Sequence, residues 1–175
     1  MEKISSDELE VIDLQEYSKT NRKPPAGKRY RTLVDQELVI FDKSHVSGRE
    51  ILKKAGKKHP ECFSLYIRRK GCDPDRVNLD DIVDLTSDGV EIFYTKPPDI
   101  FYYDMDNEPE TTDMREMTPV QILKAAGVDP KKHYLVQVND DGSQTKYKED
   151  PNQEIKMLCP RMKFFSVLDG PTPFS

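Results

Sequence analysis

The chain has 175 residues, with 27 Lys and Arg against 32 Asp and Glu, for a formal charge of −5. Apolar residues make up 35% of it, and no apolar run is long enough for a membrane-spanning helix. The mild acidity argues against a global nucleic-acid footprint, and the opening Met1-Glu2-Lys3-Ile4-Ser5-Ser6-Asp7 lacks the apolar region of an export signal.

Charge is unevenly spread. Residues 1–27 are net −2, residues 28–98 net +2, and residues 99–170 net −5. Residues 1–27 carry one apolar cluster (Leu9, Val11, Ile12, Leu14) and then a polar stretch ending in Pro24-Pro25. They read as a disordered arm, or as one that orders on a partner or a neighbouring copy as an edge strand or helix.

From residue 28 the chain repeats itself. Tyr30–Val34 and Leu38–Phe41, rich in β-branched and aromatic residues, flank Asp35-Gln36 and predict a hairpin. Ser47-Gly48-Arg49-Glu50 is a capping box. It opens a helix through Ile51-Leu52-Lys53-Lys54-Ala55, which Gly56 should end in the left-handed conformation. Phe63–Ile67 is a strand, and Ile92–Thr95 closes the unit.

The same order returns at a spacing of 70–72. Ile100–Tyr103 leads into the turn Asp106-Asn107. The return strand Pro109–Thr112 holds a proline and should be an edge strand or a loop. Thr118-Pro119-Val120-Gln121 is a second capping box, with Pro at the first helical position. Ile122-Leu123-Lys124-Ala125-Ala126-Gly127 matches Ile51–Gly56. His133–Gln137 and Phe164–Val167 complete the copy. Between the two, Pro97-Pro98 favours an extended, stiff connection. Each copy reads as strand–strand–helix–strand–short element–strand, one helix covering one face of a mixed sheet. The expected fold is therefore α+β, two tandem β-grasp domains over residues 28–96 and 99–168. The arm 1–27 precedes them and a tail, 169–175, follows.

The two capped helices, the closing aromatic strands and the stretch Val77-Asn78-Leu79-Asp80-Asp81-Ile82-Val83-Asp84-Leu85-Thr86-Ser87-Asp88-Gly89-Val90 resemble the ubiquitin-like family, and most closely the bacterial multiubiquitin proteins. The resemblance implies a protein modifier rather than an enzyme, with no catalytic residue, cofactor or metal of its own. An activating enzyme would spend ATP to adenylate the modifier's C-terminal carboxylate. A conjugating enzyme's cysteine would then receive it as a thioester for attachment to a target. A bacterial, cytoplasmic setting is implied, often in a defence (antiphage) operon, without membrane or nucleic-acid partners.

The tail departs from the family pattern. It reads Leu168-Asp169-Gly170-Pro171-Thr172-Pro173-Phe174-Ser175, without a di-glycine. Either a processing peptidase cuts between Gly170 and Pro171 and leaves Gly170 as the conjugation terminus, or the chain is not joined through glycine. In the second case the chain is a non-conjugated scaffold, or it self-associates through the N-terminal arm and an exposed sheet edge.

Other constellations are weaker. His45, His59 and His133 do not fall at metal-ligand spacing, even with Cys62 and Cys72 nearby. Three cysteines without CxxC read as reduced thiols. Lys53-Lys54, Lys57-Lys58 and Arg68-Arg69-Lys70 form either a solvated face or a patch for an acidic protein partner. Leu65 and Ile67 must face opposite to Tyr66, and exposed apolar residues on the sheet would be the gripping surface.

Overall fold

The computed structural model describes residues 10–170. The chain divides into two compact units, the first running to Pro98 and the second starting at Asp99.

In the first unit, β2 (Arg29–Val34) and β3 (Glu37–Phe41) form the expected hairpin. Asp35 and Gln36 both have positive φ, 49° and 72°. That is the turn whose twist matches the flanking strands. A two-stranded ribbon of β4 (His45–Ser47) and β7 (Ile82–Asp84) flanks α2 (Gly48–Lys54). Ser47 Oγ accepts from the Glu50 amide at 3.1 Å, and the Glu50 carboxylate accepts from the Ser47 amide at 2.7 Å. At the other end Lys57 N donates to Leu52 O and Gly56 N to Lys53 O, with Gly56 at φ 81°. That double bond at a left-handed glycine closes the helix. The remaining strands are β5 (Ser64–Arg69), β6 (Asp75–Val77) and β8 (Val90–Lys96).

The arm is where the structure corrects the sequence reading. Residues 11–13 form a strand, β1 (Val11–Asp13), and residues 14–19 a helix, α1 (Leu14–Lys19), both folded onto the first unit itself. β1 lies parallel to β2, beside Arg29–Arg31. β8 is parallel to the same strand farther along, beside Leu33 and Val34. Ile12 and Leu14 are buried in the core with Tyr30, Ile51, Leu52, Leu65, Ile67, Leu85 and Phe93. Asp13 caps α1 through the Gln15 amide and pairs with Arg31 at 2.9 Å. Burial of Ile12 and Leu14, of order 1.5–3 kcal/mol each, together with the pairing of β1 on β2 and the Asp13 cap, offsets part of the cost of ordering the segment. Residues 1–9 lie outside the described part. The sheet order is β1-β2-β8-β5-β6, with β3 on β2.

The second unit comprises β9 (Phe101–Met105), β10 (Glu108–Thr112), β11 (Glu116–Met117), α3 (Pro119–Ala125), β12 (His133–Val138), β13 (Gln144–Lys146), β14 (Ile155–Lys156) and β15 (Met162–Leu168). Its sheet order is β10-β9-β15-β12-β13. The turn Asp106-Asn107 has φ 52° and 67°, as in the first hairpin. β10 is an edge strand, which tolerates Pro109. Thr118 and Gln121 complete the second capping box, and Gly127 and Val128 repeat the helix-ending bonds to Lys124 and Leu123. Its core gathers Tyr103, Met105, Ile122, Leu123, Leu135 and Phe164. Both units are α+β and strand-rich. Among the described residues no helix is long and apolar enough to cross a membrane.

Candidate functional site at the exit of the last strand

In each unit a carboxylate from the first hairpin grips the last strand. Asp35 Oδ1 accepts from the Thr95 amide at 2.7 Å, and Oδ2 accepts from the Thr95 hydroxyl at 2.6 Å. In the second unit, Asp106 does the same to Ser166, at 2.8 and 2.6 Å. The backbone adds Asp35 N to Phe93 O and Asp106 N to Phe164 O, at 3.1 and 3.0 Å. Every position differs from its counterpart by 71. Positive φ at the aspartate turns its side chain across to the neighbouring strand, a geometry that Asp and Asn tolerate.

Beyond Thr95 against Ser166, the two latches differ in a basic partner. Lys57 Nζ lies 3.1 Å from Asp35 Oδ2 and also sits over the Phe63 ring at 4.8 Å. The residue 71 positions on is Val128. Burial pulls the Asp35 carboxyl up, but the Thr95 hydroxyl and amide and Lys57 outweigh it and hold it below the usual carboxylate range. Such a group stabilises the fold above its unfolded value of about 3.9, and the contribution is lost as pH falls through the lowered folded value. Asp35→Asn keeps the turn and removes the charge. Chemical denaturation is expected to show a loss of about 1–2 kcal/mol at pH 7 that shrinks progressively as pH is lowered below about 3.9. An equal loss across that range would mean that the charge is not what holds Thr95.

Beyond the second latch the chain is fixed at one more point. Asp169 N donates to Lys132 O at 2.7 Å, and its carboxylate pairs with Lys148 at 3.0 Å. That hydrogen bond raises the Lys148 pKa. Gly170 follows, exposed, at φ 151°, with nothing within 4 Å of where a Cβ would stand. Pro171, the other half of the expected cleavage site, lies outside the described residues.

Each sheet presents one face away from its helix. In the first unit Leu65 and Ile67 point into the core, so Tyr66 lies on the open face. It stacks on Tyr94, with centroids 5.4 Å apart, and Lys96 Nζ stands 4.7 Å over its ring. Ile92, Leu33, Ile40 and the exposed Leu38 continue this face by strand register. In the second unit Tyr102, Tyr134, Phe165 and Val167 take the open side.

The basic groups do not gather into one patch. Lys57 belongs to the latch, Arg68 pairs with Glu91 at 3.1 Å, and Lys53 and Lys54 line a separate groove with Phe41 and Val46. His45 sits beside Ser44 and Asp84, His59 beside Glu61, and His133 Nδ1 lies 3.3 Å from Asp129 O. Among the described residues no group of three metal-ligating side chains forms. Cys72 is an exposed free thiol.

Residues 30–97 match the family model described as multiubiquitin, from the second residue of β2 to one residue past β8. Over these residues the first unit is multiubiquitin-like. Neither the curated proteins nor the solved structures give a match. The multiubiquitin match thus spans the first hairpin, α2, the first latch and the open face of Tyr66 and Tyr94. β1 and α1 fall outside it.

Proposed function

We propose that the chain is a ubiquitin-like protein modifier made of two tandem β-grasp domains, with its reactive group at the C-terminal end of the second. The multiubiquitin match over residues 30–97 supports this. So does the matching order of strands, capped helix and latch in the second unit. The observation that carries the reading is the exit of β15. The strand is held through Ser166, the chain just after it through Asp169, and Gly170 follows, the end of the described residues.

Adenylation needs an extended, narrow end whose carbonyl is not crowded, and a residue without Cβ permits the closest backbone approach. In this reading a peptidase removes residues 171–175. A partner enzyme uses ATP to join the Gly170 carboxylate to AMP, releasing pyrophosphate. A conjugating enzyme's thiolate then displaces AMP, and a target nucleophile displaces the thiol.

Pro171 directly after Gly170 favours a second reading, a scaffold that is never conjugated. In that reading an exposed sheet edge engages partners or further copies. Intact mass of the full chain, co-expressed with genes neighbouring its own and compared with and without ATP, separates the two. A species ending at Gly170 and ATP-dependent adducts that thiol removes are expected. A chain that stays whole and unmodified under every condition would overturn the modifier reading and leave the scaffold.

A further inference from the structure

The chain leaves the second unit through a contact that continues the sheet by one step. His133 pairs with Leu168 at the end of the β12–β15 ladder. One step past that pair, Asp169 N donates to Lys132 O at 2.7 Å. The Asp169 carboxylate is taken as well, by Lys148 Nζ at 3.0 Å. Lys148 is itself placed by its neighbour. Tyr147 is buried, its amide donates to Leu135 O at 2.9 Å, and its hydroxyl donates to Gln137 Oε1 at 2.9 Å. The Lys148 ammonium therefore lies across β12, 5.7 Å from the centre of the Tyr134 ring. Both the amide and the side chain of Asp169 are folded back on the unit, and the exposed Gly170 follows.

The fold itself does not require this clasp. Asp169 corresponds, at the spacing of 71, to Pro98, which has neither an amide hydrogen nor a carboxylate. Asn78 follows the buried Val77 as Lys148 follows the buried Tyr147. The first unit thus closes the same kind of sheet and latch without the residues that make the clasp.

The clasp adds little to the core. An exposed ion pair is weak, and salt screens it. What it governs is local: whether the residue before Gly170 is bound to its own unit or available to a partner. An enzyme acting at the Gly170 carbonyl has to hold the preceding main chain in extended form. It cannot do so while the Asp169 amide and carboxylate are both engaged. The two states exclude each other, and the enzyme meets only the fraction of chains whose clasp is open.

We propose that Lys148 is a positioning residue that keeps Asp169 folded back and so sets how often Gly170 is presented as an extended end. The use made of that end rests on the modifier reading above; the clasp itself does not.

The test is amide hydrogen exchange of the full chain by NMR. Lys148→Met retains the stem over Tyr134 and removes the charge. Asp169→Asn keeps the side chain's shape, and Lys146→Met, at an exposed position on β13, is the control. The Asp169 amide should be protected in the wild type. Each clasp variant should speed its exchange about three- to tenfold, and so should salt of about 1 M on the wild type, while the Leu135 and Phe164 amides keep their rates. The double variant should exchange no faster than the single ones, because both changes remove the same contact. An Asp169 amide that exchanges as fast in the wild type as in the variants, or a Lys146→Met effect equal to that of Lys148→Met, would overturn the clasp. Intact mass after co-expression with the neighbouring genes gives the second readout. Trimming to Gly170 is expected to be faster in both clasp variants than in the wild type. Equal rates in all three would overturn the control of the tail and leave the modifier reading standing. No trimming or adduct in any chain would overturn the modifier reading, and exchange alone would then decide the clasp.

Discussion

Phe164→Ala is expected to cost about 3–5 kcal/mol and to unfold the second unit under conditions where the first stays folded. Phe164 is fully buried and meets the Tyr103 ring edge-on, with centroids 5.9 Å apart. The substitution leaves a cavity at the centre of the core and removes that ring contact. A unit of this size rarely has more than several kcal/mol in reserve. Phe165→Ala is the control. The next residue on the strand points to the open face and is half-buried, so its loss should cost about 1 kcal/mol or less. Hydrogen exchange reads both, since β12 and β15 amides lose protection in the first variant while those of β5 and β8 keep it. Equal effects of the two variants would mean that the pleat does not separate core from surface here.

The second large effect concerns a glycine whose φ is ordinary. Gly48 opens α2, and a Cβ there would collide with the Asn78 carbonyl oxygen, with Val77 Cγ1 at 3.2 Å. Helix propensity alone would make Gly48→Ala favourable by up to about 1 kcal/mol. The clash is with backbone, held by Arg49 N donating to Leu79 O and Gly48 N to Asp81 O. Neither segment can move without losing those bonds. Gly48→Ala is therefore expected to destabilise the first unit by about 1–3 kcal/mol in urea denaturation, against the helix scale. The counterpart of Gly48 in the second unit is Pro119, so a proline carried from there to position 48 should be worse still. A neutral or stabilised Gly48→Ala would show that residues 77–79 yield.

These two positions also mark what the sequence could and could not reveal. The capping boxes, the helix-ending glycines, both hairpin turns and the edge character of Pro109 are local signals, and each is legible because a few adjacent residues decide it. The requirement for glycine at position 48 is set by residues 77–79, distant in sequence, and gives no local sign. β1 and α1 are too short for any periodicity to appear, and only the apolar cluster Val11, Ile12 and Leu14 marked them. Lys57 read as part of a charge run because its partner, Asp35, lies 22 residues away. The latches were within reach. Asp35 and Asp106 align under the repeat, and so do the hydroxyl residues Thr95 and Ser166. A turn acid and a strand hydroxyl preserved together at one spacing is a pairing signal that hydrophobic pattern alone does not carry.

The parallel pairing of β9 with β15 has a consequence for synthesis. The last strand of the second unit is also the middle of its sheet. Until Leu168 has left the ribosome, β9 with β10 and β12 with β13 are two ribbons with no common neighbour, each with an open edge. The first unit has its own closing strand by Lys96 and can fold while the second is still being made. A nascent chain stalled within residues 150–165 would carry a finished domain followed by two unjoined ribbons, the stage at which it most needs protection from aggregation.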